Sequence, residues 1–187
     1  MIVEKRGLRV RIGRPIGAHM RIFNVHERRV GSPVESAGKL LDGLAGSDDR
    51  LWPHEKWPAM KLDSPLGKGA RGGHGPVRYT VQDFIQGRRV DFVFDNHGIA
   101  AGFRGKHYFE VQPLGDGALL RHVIEAQSGF GTWLRWAVMI RPLHDALIED
   151  AFDKAEHGLA GTARREDQAR WSQWVKILRW VIAKTGG

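Results

Sequence analysis

The stretch GKHYFEVQPLGDGALLRHVIEA, residues 105–126, decides the fold. Two runs of alternating side chains, Lys106 to Gln112 and Ala118 to Ala126, flank Pro113-Leu-Gly-Asp-Gly117, whose proline and glycines favour a reversal, so the spacing predicts an antiparallel hairpin. With a four-residue connection from Leu114 to Gly117, Phe109 and Val111 share a face with Leu120, His122 and Ile124. A slip of one residue would turn that set outward.

The period changes immediately downstream. Trp133, Trp136, Ile140, Leu143, Leu147, Ala151 and Ala155 recur at steps of three or four, with Arg141, Asp145, Glu149 and Asp153 elsewhere on the wheel. This pattern predicts a long helix with one buried face. Leu143, Leu147 and Ala151 are expected against a sheet. Glu149 is expected on the solvent side, where alanine would change stability by less than about 0.5 kcal/mol. Pro142 removes an amide donor and crowds the preceding turn, so it must kink this helix or mark its true start. Gly158 is the expected left-handed cap at its end.

Upstream, Arg21 to Val30 reads as a strand stopped by Gly31-Ser32-Pro33. Ser32 as N-cap, Pro33 at the first helical position and Glu35 in the first turn predict a helix to about Leu44, with Ala37, Leu40, Leu41 and Leu44 as its apolar stripe. Residues 45–76 are rich in proline and glycine and contain Trp52-Pro53 and Trp57-Pro58. They read as a long loop whose tryptophans either plug one end of the core or line a ligand entrance. Val77 to Gln86 and Arg88 to Asp95 form another predicted hairpin, turning at Gln86-Gly87, with Val77, Tyr79 and Val81 on one face and Val90, Phe92 and Phe94 on one face of the partner.

Composition narrows the function classes. The 187-residue chain has no cysteine, which excludes disulfides, thiolate metal sites and cysteine nucleophiles. No signal-peptide pattern and no long apolar run occurs, so a cytoplasmic protein is expected. The net charge of +8 is concentrated at the ends: residues 1–29 hold 8 Lys/Arg and 2 acids, residues 160–187 hold 6 and 2, and the middle is near −2. A basic groove in the body is therefore not predicted, and nucleic acid is not an expected partner. The tail has its own pattern, with Trp171, Trp174, Leu178 and Val181 at helical spacing among Arg170, Lys176, Arg179 and Lys184. Residues 165–183 are the candidate segment for peripheral membrane contact or self-association, the alternative being docking on their own domain.

Strand, short helix, covering loop, antiparallel strands and a long late helix form the order of the helix-grip fold. On Asn24-Val-His-Glu-Arg-Arg-Val30, Ser32-Pro-Val-Glu-Ser-Ala37, Phe109-Glu-Val-Gln-Pro-Leu-Gly-Asp-Gly117 with Leu120-Arg-His122, and Arg141-Pro-Leu-His-Asp-Ala-Leu-Ile-Glu-Asp150, the chain resembles the START-like, SRPBCC superfamily of polyketide cyclase/dehydrase-like and pollen-allergen-like proteins. The resemblance spans about residues 20–158. It implies an α+β helix-grip domain, a curved antiparallel sheet wrapped around a long C-terminal helix, with a hydrophobic cavity between them. Residues 1–19 are then a basic N-terminal extension, 20–159 the domain and 160–187 a basic, Trp-rich amphipathic helix. Met20 is the expected start of the folded unit.

The expected ligand is small and hydrophobic, lipid-like or polyketide-like, held by walls with a few orienting polar groups. The cavity candidates are Trp52, Trp57, His74, Tyr79, Phe92, Phe109, His122, Arg141 and His144. A cyclase or dehydratase would use His122 or His144 as acid and base. A membrane-associated lipid binder would add the tail as anchor. No cofactor is expected. His107 with Glu110, and His122 with Glu125, are offset by three residues on strands and point to opposite faces, so without an inward carboxylate no metal site is predicted. Gly72-Gly-His-Gly-Pro76 lacks the Gly-Lys-Ser/Thr ending of a phosphate loop and reads as a turn that leaves His74 beside Tyr79. No Gly-x-Ser-x-Gly elbow is present, which disfavours a serine hydrolase.

Overall fold

The computed structural model describes residues 9–10, 19–161 and 171–185. Its strands are β1 (Arg9–Val10), β2 (Met20–Val30), β3 (Lys61–Leu62), β4 (Arg71–His74), β5 (Val77–Ile85), β6 (Arg89–Phe94), β7 (Arg104–Leu114) and β8 (Gly117–Ser128). Its α-helices are α1 (Val34–Asp42), α2 (Phe130–Arg135), α3 (Arg141–Ala160) and α4 (Gln173–Thr185). The strands form one open antiparallel sheet in the order β1-β2-β8-β7-β6-β5-β4-β3.

The β7–β8 hairpin has the predicted register, Phe109 opposite His122 and Val111 opposite Leu120. Leu114 also pairs with Gly117, which shortens the connection to Gly115-Asp116. Phe109, Val111, Leu120, His122 and Ile124 are all buried. The β5–β6 hairpin turns at the expected place, with a bulge between Val81 and Asp83.

Three local expectations change. Pro33, not Ser32, is the N-cap of α1: its φ of −53° and ψ of 147° are extended, and its carbonyl accepts from the amides of Ser36 and Ala37. The segment 45–76 is not wholly irregular, because β3 and β4 pair within it and extend the sheet from β5. Gly158 does not end the long helix. The left-handed cap is Gly161, at φ 63°.

α1 lies across the β5–β6 turn. A Cβ on Gly38 would stand 2.6 Å from the Gly87 carbonyl oxygen, and the Gly87 amide donates to Asp42 at 2.6 Å. Only a residue without a side chain permits this approach.

Pro142 acts in both ways foreseen for it. It sits in the first turn of α3, and the preceding residues Trp136–Ile140 form a π-helical turn in which the Arg141 amide reaches back to the Trp136 carbonyl. Since Pro142 has no N–H, the Val138 carbonyl loses its usual donor four residues on. The Trp174 indole N–H of α4 donates to that carbonyl at 2.8 Å.

α3 grips the sheet with two edges. Leu147, Ile148, Ala151, Phe152 and Ala155 are its buried apolar side, and Leu143 is half-buried. Along the neighbouring edge, Asn24 donates to Asp145, His26 contacts Asp145 and Glu149, and Arg28 donates to Glu149, Asp153 and Glu156. Two strand residues rise about 6.8 Å and four helix residues about 6 Å, so alternate residues of β2 meet every fourth residue of α3. Glu149 is thus an ion-pair partner, not the uninvolved solvent residue expected from the wheel.

Described residues from both ends of the chain contact the domain. Arg9 and Val10 pair with Val25 and Asn24, adding an edge strand from the expected extension. Residues 1–8 and 11–18 of that extension, together with residues 165–170 of the candidate tail segment, lie outside the described residues. α4 packs on α3, burying Val175 and Leu178. Trp174 and Val181 of the predicted stripe face outward, so the buried line is rotated by about one position.

Candidate functional site

Between the concave face of the sheet, the α2–α3 segment and α4 lies a cavity of about 350 Å³. The sheet contributes Phe94, His107, Phe109, His122 and Ile124, and the helical side Trp136, Ile140, Leu143, His144 and Leu147. The loop before β3 adds Trp52 and Trp57, β4 adds His74, and α4 closes one side with Arg179, Ile182 and Ala183.

The two loop tryptophans are fixed by two acids outside the candidate set, Asp49 and Asp150. The Asp49 carboxylate accepts from the amides of Ala45, Leu51 and Trp52, shaping the turn, and Trp52 Nε1 donates to the Pro58 carbonyl at 2.9 Å. Buried Asp150 of α3 accepts from Trp57 Nε1 at 2.8 Å, Trp171 Nε1 at 3.0 Å and Lys56 Nζ at 3.0 Å. The Arg179 guanidinium stacks on the Trp57 and Trp171 rings, 4.2 and 4.0 Å from their centroids. One carboxylate and one guanidinium therefore tie loop, long helix and C-terminal helix together at the cavity wall.

Of the nine sequence candidates, Trp52, Trp57, His74, Phe109, His122 and His144 line the cavity. Tyr79 and Phe92 stand behind the wall: the Tyr79 hydroxyl is 3.1 Å from His74 Nδ1, and the Phe92 ring stacks on His107 at 4.9 Å. Arg141 turns toward Asp145, its Nε 3.3 Å from the carboxylate. His107 was missing from the candidates. Its inward position follows from the hairpin face that carries Phe109, and it lies between Phe92 and Phe94.

Four imidazoles converge on this space. Burial drives His74 down to about 3, assisted by nearby positive charge. Burial also holds His107 and His122 well below 6.5, and lowers His144 against the opposing pull of Asp145. They are neutral rings at pH 7. His107 Nδ1 and His122 Nε2 approach to 3.4 Å, while His107 Nε2, His122 Nδ1 and both His144 nitrogens lack a hydrogen-bond partner among the described residues. In a neutral linked pair one ring donates to the other. The two outer nitrogens must then be one donor and one acceptor, whichever tautomers are present.

His26 is the opposite case. Burial works against its charge, but Asp145 at 3.0 Å and Glu149 at 2.9 Å outweigh it and raise its pKa. Asp145 is likewise opposed by burial and is held far below the ordinary carboxylate range by His144 and His26. These contacts correct the expectation that no carboxylate reaches the histidines. His26, His144 and Asp145 each bring a ligand atom within 4.8 Å of the others and, among the described residues, are the group that could hold a metal ion. In this structure both ring nitrogens of His26 are engaged by carboxylates. The signal that would have found His26 is the alternation Asn24, His26, Arg28 set against Asp145, Glu149, Asp153.

Comparison with solved structures identifies the fold. CalU16 from Micromonospora echinospora superposes with a TM-score of 0.55 at 15% identity, covering 96% of each chain. A truncated norcoclaurine synthase from Thalictrum flavum gives 0.56 at 14% identity over 76% of this chain and 96% of its own. A Thermobifida fusca protein gives 0.58 at 14% identity, covering 80% and 97%. The architecture is therefore the α+β helix-grip fold that these structures share. No protein-family model and no curated protein sequence matches the chain. Among the described residues no helix is long and apolar enough to cross a membrane.

Proposed function

We propose that the protein binds a small, mainly hydrophobic ligand with an uncharged polar end in the cavity between the sheet and α3. The observation that carries this is the wall itself: aromatic and aliphatic side chains around neutral imidazoles whose free nitrogens offer donors and acceptors. A cavity of about 350 Å³ falls at the lower end of the usual range for small-molecule sites. Neutral rings match a hydroxyl, carbonyl or phenol better than a carboxylate, since burial opposes the positive charge a carboxylate would need.

The test is binding of an environment-sensitive naphthalene dye, followed by its fluorescence and by quenching of Trp52, Trp57 and Trp136. The parent should show one saturable site, and Leu143→Trp, which fills the cavity from a half-buried position, should abolish it while the thermal unfolding curve stays cooperative. Unchanged affinity in Leu143→Trp refutes the cavity as the site.

A second reading is acid/base catalysis on the same ligand class. It is favoured by the linked His107–His122 pair, which presents a donor and an acceptor together, and by His144 standing 3.6 Å from Asp145. The synthase among the structural neighbours carries catalysis on this fold, although a shared fold does not transfer a reaction. His122→Gln and His144→Gln separate the two readings. A binder loses about one hydrogen bond, roughly 0.5 to 1.5 kcal/mol or two- to thirteenfold in Kd. An enzyme loses turnover of a screened cyclic or polyketide-like substrate while binding survives.

A further inference from the structure

Eleven large hydrophobic residues are exposed among those described, and nine of them fall within residues 130–182 of the two helical segments beside the cavity. Phe130, Leu134, Val138 and Met139 project from α2 and the π turn. Trp174, Ile177 and Trp180 of α4 are exposed, outside the line of its buried Val175 and Leu178. The Trp174–Val138 hydrogen bond joins the two groups into one face. Scattered apolar side chains need no explanation, but a contiguous patch marks a contact surface.

From this patch we infer that the face formed by α2, the π turn and α4 docks on an anionic membrane surface. Residues 130–140 and 171–185 contain Arg135, Lys176, Arg179 and Lys184 and no Asp or Glu. Lys176 and Lys184 are exposed, and Lys184 Nζ lies 4.4 Å from the Trp180 ring. Tryptophans with aliphatic neighbours and a cationic border suit the boundary between headgroups and acyl chains. A symmetric contact with a second copy would set cations against cations on a face without acids. The aliphatic members Ile177, Val138 and Met139 have no counterpart in the phosphate backbone of a nucleic acid.

The position matters as much as the chemistry. Arg179, Ile182 and Ala183 of the same α4 wall the cavity, so a bilayer meeting the outer side of α4 touches the element that covers the ligand space. Docking would place an apolar ligand's route between membrane and cavity at this helix. The docking itself does not depend on the cavity being filled.

The test is co-sedimentation of the full chain with phosphatidylcholine vesicles, with and without phosphatidylglycerol. The expected result is association with the anionic vesicles, weakened by salt, and at least about tenfold weaker with phosphatidylcholine alone. Two double variants, Trp180→Ser with Ile177→Ser and Lys176→Glu with Lys184→Glu, should each lower anionic-vesicle binding at least about tenfold with unchanged circular dichroism melting. Absence of anionic-vesicle binding, equal binding to both compositions, or parent-like binding of both double variants overturns the inference. So does a monomer–dimer equilibrium, abolished by the serine pair, in a protein that ignores vesicles; that outcome assigns the face to a second copy.

Discussion

Lowering the pH from about 7.5 to about 5.5 should destabilise this protein by several kcal/mol, well before its carboxylates titrate. The reason is the set of cavity imidazoles. His74, His107 and His122 are kept neutral by burial, with pKa values pushed far below 6.5, the first to about 3. In the unfolded chain each would bind a proton near pH 6.5. A group whose folded pKa is depressed contributes stability that is present above the unfolded value and lost as pH falls toward the folded one. At pH 5.5 that loss is bounded by RT ln 11, on the order of 1 kcal/mol per ring, hence a few kcal/mol for three. His144, also lowered, adds in the same direction. His26 runs the other way: its raised pKa makes its contribution complete below 6.5 and loses it only as pH rises through the folded value. Asp145 and Glu149 are lowered, so their contributions fail only as pH drops below the ordinary carboxylate values, outside this window. Urea unfolding followed by tryptophan fluorescence at the two pH values measures the difference. His122→Phe should reduce the loss by about one proton's worth, on the order of 1 kcal/mol. Stabilities agreeing within about 1 kcal/mol at both pH values would refute the picture of neutral, buried cavity histidines.

Other perturbations follow from named contacts. Asp150→Ala leaves two indole N–H groups and Lys56 without their acceptor and should cost about 3 to 4 kcal/mol, whereas Asp150→Asn, which can keep its carbonyl oxygen toward both indoles, should cost about 1 to 2; equal denaturation midpoints would discredit the clamp. Glu149→Ala should cost about 1 to 2 kcal/mol, because it removes an acceptor from His26 and Arg28, a loss that thermal melting should detect. Leu147→Asp buries a carboxylate against the sheet and should cost several kcal/mol, leaving little cooperative unfolding to observe. Gly38→Ala should cost about 2 kcal/mol or more through the clash with the Gly87 backbone, and wild-type stability in this variant would contradict the close approach of α1 to the hairpin.

The parts of the fold legible in sequence were those with a sustained period. The β7–β8 register followed from alternating side chains on both sides of a proline–glycine turn, and the α3 core edge from Leu147, Ala151 and Ala155 at helical spacing. β3 and β4 were illegible because Lys61–Leu62 is too short to show alternation and Arg71–His74 contains two glycines without side chains to alternate. The cavity candidates came from the same faces, which is why His122 was found. For His107 the three-residue spacing to Glu110 shows only that the two side chains point to opposite faces, not which of them points inward. His26 escaped for a different reason: its partners lie 119 and 123 residues away, and a polar alternation on a strand becomes informative only once the acidic edge of α3 is known to run beside it. Pro142 shows the same limit at its smallest scale. That it would disturb the helix follows from its missing N–H, and the π turn realises that expectation. The freed Val138 carbonyl then needed a donor, and it was met by Trp174 from a helix 36 residues downstream. A local rule predicted the vacancy in the hydrogen-bond ladder, but only the packing of α4 decided what filled it, and with it how the apolar residues of α2 and α4 came to share one surface.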